Sequence, residues 1–524
     1  MLILTGLMLL GIYGYSISSR PPKWEEPRRA LVAMEMIHRK DYVVPRFMGE
    51  LYLSKPPLQS WLIALAAGAD LRQVTPLRAR LVTLAALAGI GLFLWRLGID
   101  GRRDAPHLFP VLVFLTMGTV VQFGRTAEID ILFCFFVTAA LGSVELGRRR
   151  GSSLLQWVLP QLFVGAGVLT KGLAPIFFYP PVLLWAWHYR KASRFSFPAF
   201  ATGLLAMLGL VAAWLVPYSR MAQLADLQDK WASEVRVLTL DESWLVLLRH
   251  PFLYPFLLLG VALPWSLQLL ALRRSEARRA ALSCLRQEPY LGFATAVVGW
   301  GVLVYLFVPG TDGRYLIPFL PFSAVLIARA LRSKGGEHRT NTLARIGRHW
   351  LFWTLLAVLL VGYSLVAGST LPGPVVWSSI LLGLAVIAAF AWMLRAGRSA
   401  GTIPVLLGLG LIYGVTFVGI ADQRRARQDA RFVDTARELA ARIPEPGPVV
   451  CDCNTVRRAY QLAFALSQRL GAPVQVRPPA EDSYYLVAPG QTQPPPGSTL
   501  LGTSWQFSIW EVGRNEPSAP DAIE

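Results

Sequence analysis

Long apolar runs recur along most of this chain, and each has the length that a membrane demands. A hydrocarbon core needs about 20 consecutive, mostly apolar residues in a helix, and about thirteen such runs can be laid out. They begin near residues 2, 77, 107, 129, 154, 173, 198, 252, 290, 315, 350, 375 and 403. In lipid every backbone N–H and C=O must be satisfied within the protein, which commits runs of this kind to helices. The composition agrees: 54% hydrophobic and only 16% charged residues, with 17 tryptophans in 524, is not the balance of a soluble domain. The expectation is an all-α polytopic membrane protein. No basic segment or small-residue cleavage site frames the first run, so it reads as an uncleaved span.

The net charge is +19, from 51 Lys and Arg against 32 Asp and Glu. In a soluble protein that excess would suggest nucleic acid. Here the basic clusters "RRD" at 102, "RRR" at 148, "RKASR" at 190, "RRSEARR" at 273, "RSKGGEHRT" at 332 and "RAGR" at 395 fall in alternate connections. That is the bias of cytoplasmic loops, so no nucleic-acid partner is needed to explain the charge. With a cytoplasmic amino terminus, the periplasmic side receives segments at about 19–75 and 218–250 and a tail from about 421. The tail alternates a helical stretch, "RFVDTARELAARI", with the β-branched runs "GPVVCDC", "APVQVR" and "SYYLVA". It reads as a small α/β domain over 421–524, after a membrane domain over 1–420. Cys134, Cys284, Cys451 and Cys453 form no disulfide framework. Neither a zinc signature, a P-loop nor a Gly-x-Ser-x-Gly elbow is present.

The first external loop carries the densest chemistry. Pro27 suits the first helical position, which makes Glu26 the cap and leaves Glu25 just outside. Leu31, Met34 and Ile37 then line one face of a short helix along the membrane surface. The helix dipole favours carboxylates at this end. It disfavours Arg28 and Arg29, which need a counter-anion, either a phosphate or the acidic pair itself. Further on, Pro56 pushes Lys55 out of the helical region and Pro57 opens the next helix, so the lysine is fixed at a corner beside the interface. A capped surface helix and a lysine snorkelling to the headgroups are the plainer alternatives. Glu128 and Asp130 open the fourth run, and Lys171 and Arg314 sit at other external span junctions. Charges at such depth are costly and mark function. Carboxylates and cations gathered on one side suit a reaction in which a lipid-borne phosphate leaves and a hydroxyl attacks.

"EEPRRA", "EM", "KDYVVP" and "YLSKPPLQSWL" follow one another in the first loop, and "TAEID", "GVLTKGLAP", "FLYPFLLLGVALPW" and "RYLIPFLP" come after them. In order and spacing, over about residues 20–330, these motifs resemble the bacterial C-type (GT-C) glycosyltransferases, near the lipid A aminoarabinose transferase and protein O-mannosyltransferase branch. The resemblance implies the GT-C fold and inverting transfer of a sugar from a polyprenyl phosphate, usually undecaprenyl phosphate, to an acceptor. Lipid A, an envelope glycan or a protein would accept it on the periplasmic face of the inner membrane. Carried over by position, Glu25 becomes the carboxylate that activates or orients the acceptor, with Glu26 beside it and Asp130 also in the catalytic set. Lys55 would hold the donor phosphate, and Arg28, Tyr52, Glu128, Arg236 and Arg314 would contact substrate. The family's leading aspartate is Glu25 here, and one methylene moves a carboxylate on the order of 1 Å. No cofactor is expected, because the donor arrives activated; two carboxylates could hold a divalent ion, but the neighbouring cations could replace it. A lipid-linked sugar transporter or flippase is the alternative class, together with a non-catalytic homologue.

Overall fold

The computed structural model describes residues 2–98, 108–188, 195–239, 244–267, 288–332 and 423–512, apart from isolated positions and short stretches, with a few helical residues between 357 and 412. The clusters at 102, 190, 273, 332 and 395, the runs near 350, 375 and 403, and Cys284 and Cys453 lie wholly or mostly outside the described residues. In chain order the described helices are α1 (Leu2–Gly14), α2 (Glu26–Arg39), α3 (Leu58–Ala66), α4 (Pro76–Leu97), α5 (Leu108–Leu115), α6 (Gly118–Phe123), α7 (Ile129–Arg150) and α8 (Leu159–Lys171). There follow α9 (Pro180–His188), α10 (Phe197–Met221), α11 (Leu224–Thr239), α12 (Trp244–Val261), α13 (Pro289–Leu306), α14 (Leu320–Arg332), α15 (Gln423–Ala440) and α16 (Tyr460–Leu470). Among the described residues α4, α7, α10 and α13 are long and apolar enough to cross a membrane. The chain is a multi-pass membrane protein.

Residues 1–15 and 83–424 form one compact unit, and 16–82 and 425–524 form a second. In the first, α7 packs against α8, and α8 against α10. The apolar run near 107 is not one helix. It breaks between α5 and α6, where Met117 is extended and Trp265 Nε1 donates to Thr116 Oγ1 at 2.8 Å. The run near 315 likewise opens with a 3₁₀ turn, Gly313–Phe319, that contains Pro318 and only then becomes α14. Gly301 on α13 admits the Phe319 ring, since a Cβ there would stand 2.0 Å from it. That close approach seats the turn carrying Arg314 and Tyr315.

The second unit is α/β. Strands β1 (Arg46–Phe47) and β2 (Glu50–Leu51) form a hairpin, and β3 (Val449–Cys451), β4 (Gln475–Val476), β5 (Tyr484–Val487), β6 (Thr499–Ser504) and β7 (Phe507–Glu511) form a sheet of order β4-β3-β5-β7-β6. β3 runs parallel to β4 and β5, and the other pairings are antiparallel. The three β-branched runs seen in the tail are β3, β4 and β5, whereas α16, β6 and β7 carried no comparable signal. The hairpin turns through Met48 and Gly49, with φ of +54° and +89°. Both central residues of a two-residue hairpin turn can require positive φ, which suits Gly49 and strains Met48. Glu35 Oε1 accepts from Gly49 N–H at 2.8 Å, and Met48 O accepts from Val476 N–H at 2.7 Å. The hairpin is therefore tied at once to α2 and to β4.

Candidate functional site

Helix α2 starts one residue earlier than its proline suggests. Glu25, not Glu26, is the capping residue, and its side chain makes no cap hydrogen bond. Glu26 is drawn into the helix because its carboxylate has a stronger partner elsewhere. Arg80 on α4 reaches both oxygens, Nε to Oε1 at 2.8 Å and Nη2 to Oε2 at 3.1 Å, and Lys23 N–H donates to Oε2 at 2.8 Å. Arg80 in turn donates to the carbonyls of Ile17, Arg20 and Pro21, and the pair is buried, Arg80 at 0% and Glu26 at 2% exposure. Burial pushes the Glu26 carboxyl up, but the Arg80 charge and hydrogen bonds outweigh it and hold the group below the usual glutamate range. Nor is α2 a helix with a single apolar stripe: every residue from Arg29 to Met36 is buried. Elements of its own unit, α3, α16 and the hairpin, pack around it.

Glu25 is the contrasting neighbour. Its side chain is about one-third exposed at 32%, and Oε2 meets Arg28 Nη1 at 2.9 Å and Arg29 Nη2 at 3.6 Å. Of the acidic pair, Glu25 thus supplies a counter-anion to both arginines. Arg28 also donates from Nη2 to Tyr460 Oη at 3.0 Å, with its guanidinium over the Phe47 and Tyr460 rings at 5.6 and 5.1 Å. Arg29 donates to Tyr52 Oη and lies 5.7 Å from that ring's centroid. The Nε–H groups of both arginines are buried and have no acceptor among the described residues. Lys55 is half-buried beside the buried Pro56 and Pro57, and its Nζ donates to Ser54 O at 2.8 Å. Pro57 occupies the cap of α3 rather than its first turn.

In the first unit Glu128 caps α7 in an extended conformation and Asp130 lies in its first turn, both buried. Asp130 Oδ1 pairs with Lys171 Nζ, at the end of α8, at 2.6 Å. The same ammonium faces the rings of Phe133 and Tyr315 at 5.2 and 5.1 Å, a cation–π setting. Arg314 lies over Tyr315 at 5.5 Å, and its buried Nε makes a long pair with the exposed Asp312 at 3.5 Å. Arg236 is on α11, and its side chain lies outside the described residues.

The structure therefore brings Glu25, Arg28 and Tyr52 into one cluster, through Arg29, and sets Glu26 apart as a buried ion pair. It gives Asp130 a lysine partner. No group of three His, Cys, Asp or Glu side chains gathers among the described residues. Glu25 and Glu26 are each engaged by arginine. Sequence reasoning missed Arg80, Arg29's bond to Tyr52, and Tyr460. Arg80 left a trace: "LRARL" puts two arginines at the start of an apolar run.

No family model matches the chain. A crystal structure of ArnT from Cupriavidus metallidurans bound to undecaprenyl phosphate superposes with a TM-score of 0.70, covering 97% of each chain at 17% identity. The chain has the GT-C fold. Among curated proteins, this GT-C chain is 29% identical over 357 residues to an undecaprenyl phosphate-alpha-4-amino-4-deoxy-L-arabinose arabinosyl transferase of Pseudomonas aeruginosa, covering 64% of this chain and 61% of the relative. It is 28% identical over 327 residues to the protein of that name in Edwardsiella ictaluri, covering 60% and 56%. The chain thus spans about three-fifths of the length of the curated relatives it matches. These GT-C relatives are the ones that the loop motifs resemble.

Proposed function

We propose that the chain is an inverting glycosyltransferase that moves a sugar, aminoarabinose in the first instance, from undecaprenyl phosphate to an acceptor oxygen on lipid A. The relatives' names supply the donor, and the observation that carries the reading to this chain is the Glu25 cluster. One partly exposed carboxylate faces two arginines, whose buried Nε–H groups leave more donors than the carboxylate uses. Such a cluster has donors left over for a further anion. In the reaction the acceptor oxygen bonds to the anomeric carbon as the bond from that carbon to the phosphate oxygen breaks. Glu25 takes the acceptor's proton, and the electron pair leaves on the lipid phosphate, whose charge Lys55, Arg28 and Arg29 stabilise. Tyr52 orients Arg29. Glu26 acts through Arg80 by fixing the start of α2, and Asp130, committed to Lys171, is held as an ion pair rather than as a proton acceptor. Glu128, Arg236 and Arg314 are substrate-binding candidates. No step requires a metal.

The proposed location is the bacterial inner membrane, with about thirteen spans and a periplasmic tail after residue 421. An alkaline phosphatase fused after residue 524 should be active, and an inactive one, with a fluorescent fusion there, would put the tail in the cytoplasm. For activity, lipid A from cells with and without the gene is compared by mass spectrometry, and the purified protein is given an undecaprenyl phosphate-linked donor. Lys55→Met should weaken undecaprenyl phosphate binding or slow transfer at least about tenfold, as loss of a charge-assisted contact does. Unchanged lipid A and no sugar transfer by the purified protein would refute the proposal.

A further inference from the structure

Among the described residues, Arg28 is the member of the Glu25 cluster bonded to the tail. Tyr460, the first residue of α16, stands 432 residues from it in sequence and accepts from Nη2 at 3.0 Å while Nη1 is given to Glu25. The Tyr460 ring also meets Phe47 edge-on at 5.2 Å, so guanidinium, hairpin and tail share one aromatic seat. The tail reaches the hairpin a second time through the bond from Val476 N–H to Met48 O. An arginine fixed at Glu25 alone could swing about that contact. A second bond on the other terminal nitrogen sets the plane of the guanidinium, and with it the direction of the buried Nε–H.

We propose that Tyr460 is a positioning residue for the Glu25–Arg28 pair, which makes the carboxy-terminal tail part of the transfer machinery. This rests on the transferase reading above. The hydroxyl acts by holding Arg28 in the orientation in which it serves both Glu25 and an incoming anion. It touches neither reacting atom.

Tyr460→Phe removes the hydroxyl and keeps the ring against Phe47 and Arg28. Single-turnover transfer from an undecaprenyl phosphate-linked donor should fall about tenfold. In an Arg28→Lys background the same substitution should change the rate less than about twofold, because the pair acts as a unit. Ser467→Ala, also on α16, is the structural control: it removes a bond to Val474 N–H at 2.9 Å and touches nothing in the cluster. It should lower the melting temperature and leave the rate unchanged. A parallel double-mutant cycle on melting temperature reads the Arg28–Tyr460 contact without any substrate. Kinetic and thermal coupling together support the proposal. A Tyr460→Phe rate equal to wild type, or one that falls equally in both backgrounds, overturns it. If the wild type transfers no sugar, the transferase reading fails and the thermal cycle decides alone: coupling supports the positioning of Arg28, and simple addition overturns it.

Discussion

Two helices of this protein begin with a pair of acidic residues, and the two starts have been put to different use. At "TAEID" both carboxylates are buried, and Asp130 is closed off by Lys171 at 2.6 Å. At "WEEPRR" the acids part company: Glu26 is buried against Arg80, while Glu25 stays partly exposed between two arginines. Of the four carboxylates only Glu25 combines cationic neighbours with access to solvent. An acidic helix start can thus end as a closed ion pair or as a partly exposed carboxylate among cations. Burial and the partner's reach decide which.

Breaking the deepest anchor should have the largest effect on stability. Glu26→Gln leaves the Arg80 guanidinium buried with a neutral partner, which should cost about 3–5 kcal/mol. The check is thermal unfolding in detergent, and a melting temperature equal to wild type would deny Glu26 its anchoring role. Asp130→Asn should cost less, about 1.5–3 kcal/mol, because Lys171 keeps two aromatic faces and is 14% exposed. A larger loss than for Glu26→Gln would reverse the ranking of the two helix starts.

Acid sharpens the comparison further. The folded-state pKa of Glu26 lies below its unfolded value of about 4.3. Its contribution to stability is therefore complete above that value and is lost as pH falls through the lower, folded-state pKa. A melting-temperature scan from neutral to acid should fall away below about pH 4.3, and Glu26→Gln should flatten that limb. The smallest effect belongs to Lys40, exposed at the end of α2. Lys40→Met should stay within about 0.5 kcal/mol and leave transfer unchanged. A slower Lys40 variant would mean that positive charge anywhere on the loop matters.

Much of this was readable in the residues. The runs near 77, 129, 198 and 290 became long apolar helices, the loop motifs led to the fold, and three tail strands stood where β-branched runs predict them. The rest depended on partners far along the chain. Local rules put Pro27 at the first helical position, but Arg80, 54 residues on, draws Glu26 into the helix and shifts the cap to Glu25. No local pattern links Tyr460 to Arg28. The breaks at Thr116 and ahead of α14 also depend on tertiary contacts, Trp265 in one case and Gly301 with Phe319 in the other.

Glu25 is proposed as the group that takes the proton, with Glu26 and Asp130 held as anchors by Arg80 and Lys171. Glu25→Gln keeps the shape of the side chain and removes its basicity. Single-turnover transfer from an undecaprenyl phosphate-linked donor, read beside the melting temperature and undecaprenyl phosphate binding of the same sample, tests that most directly. The rate should be about 100- to 10,000-fold lower, with folding and lipid binding close to wild type. A wild-type rate would contradict the proposal and remove Glu25 from the chemistry.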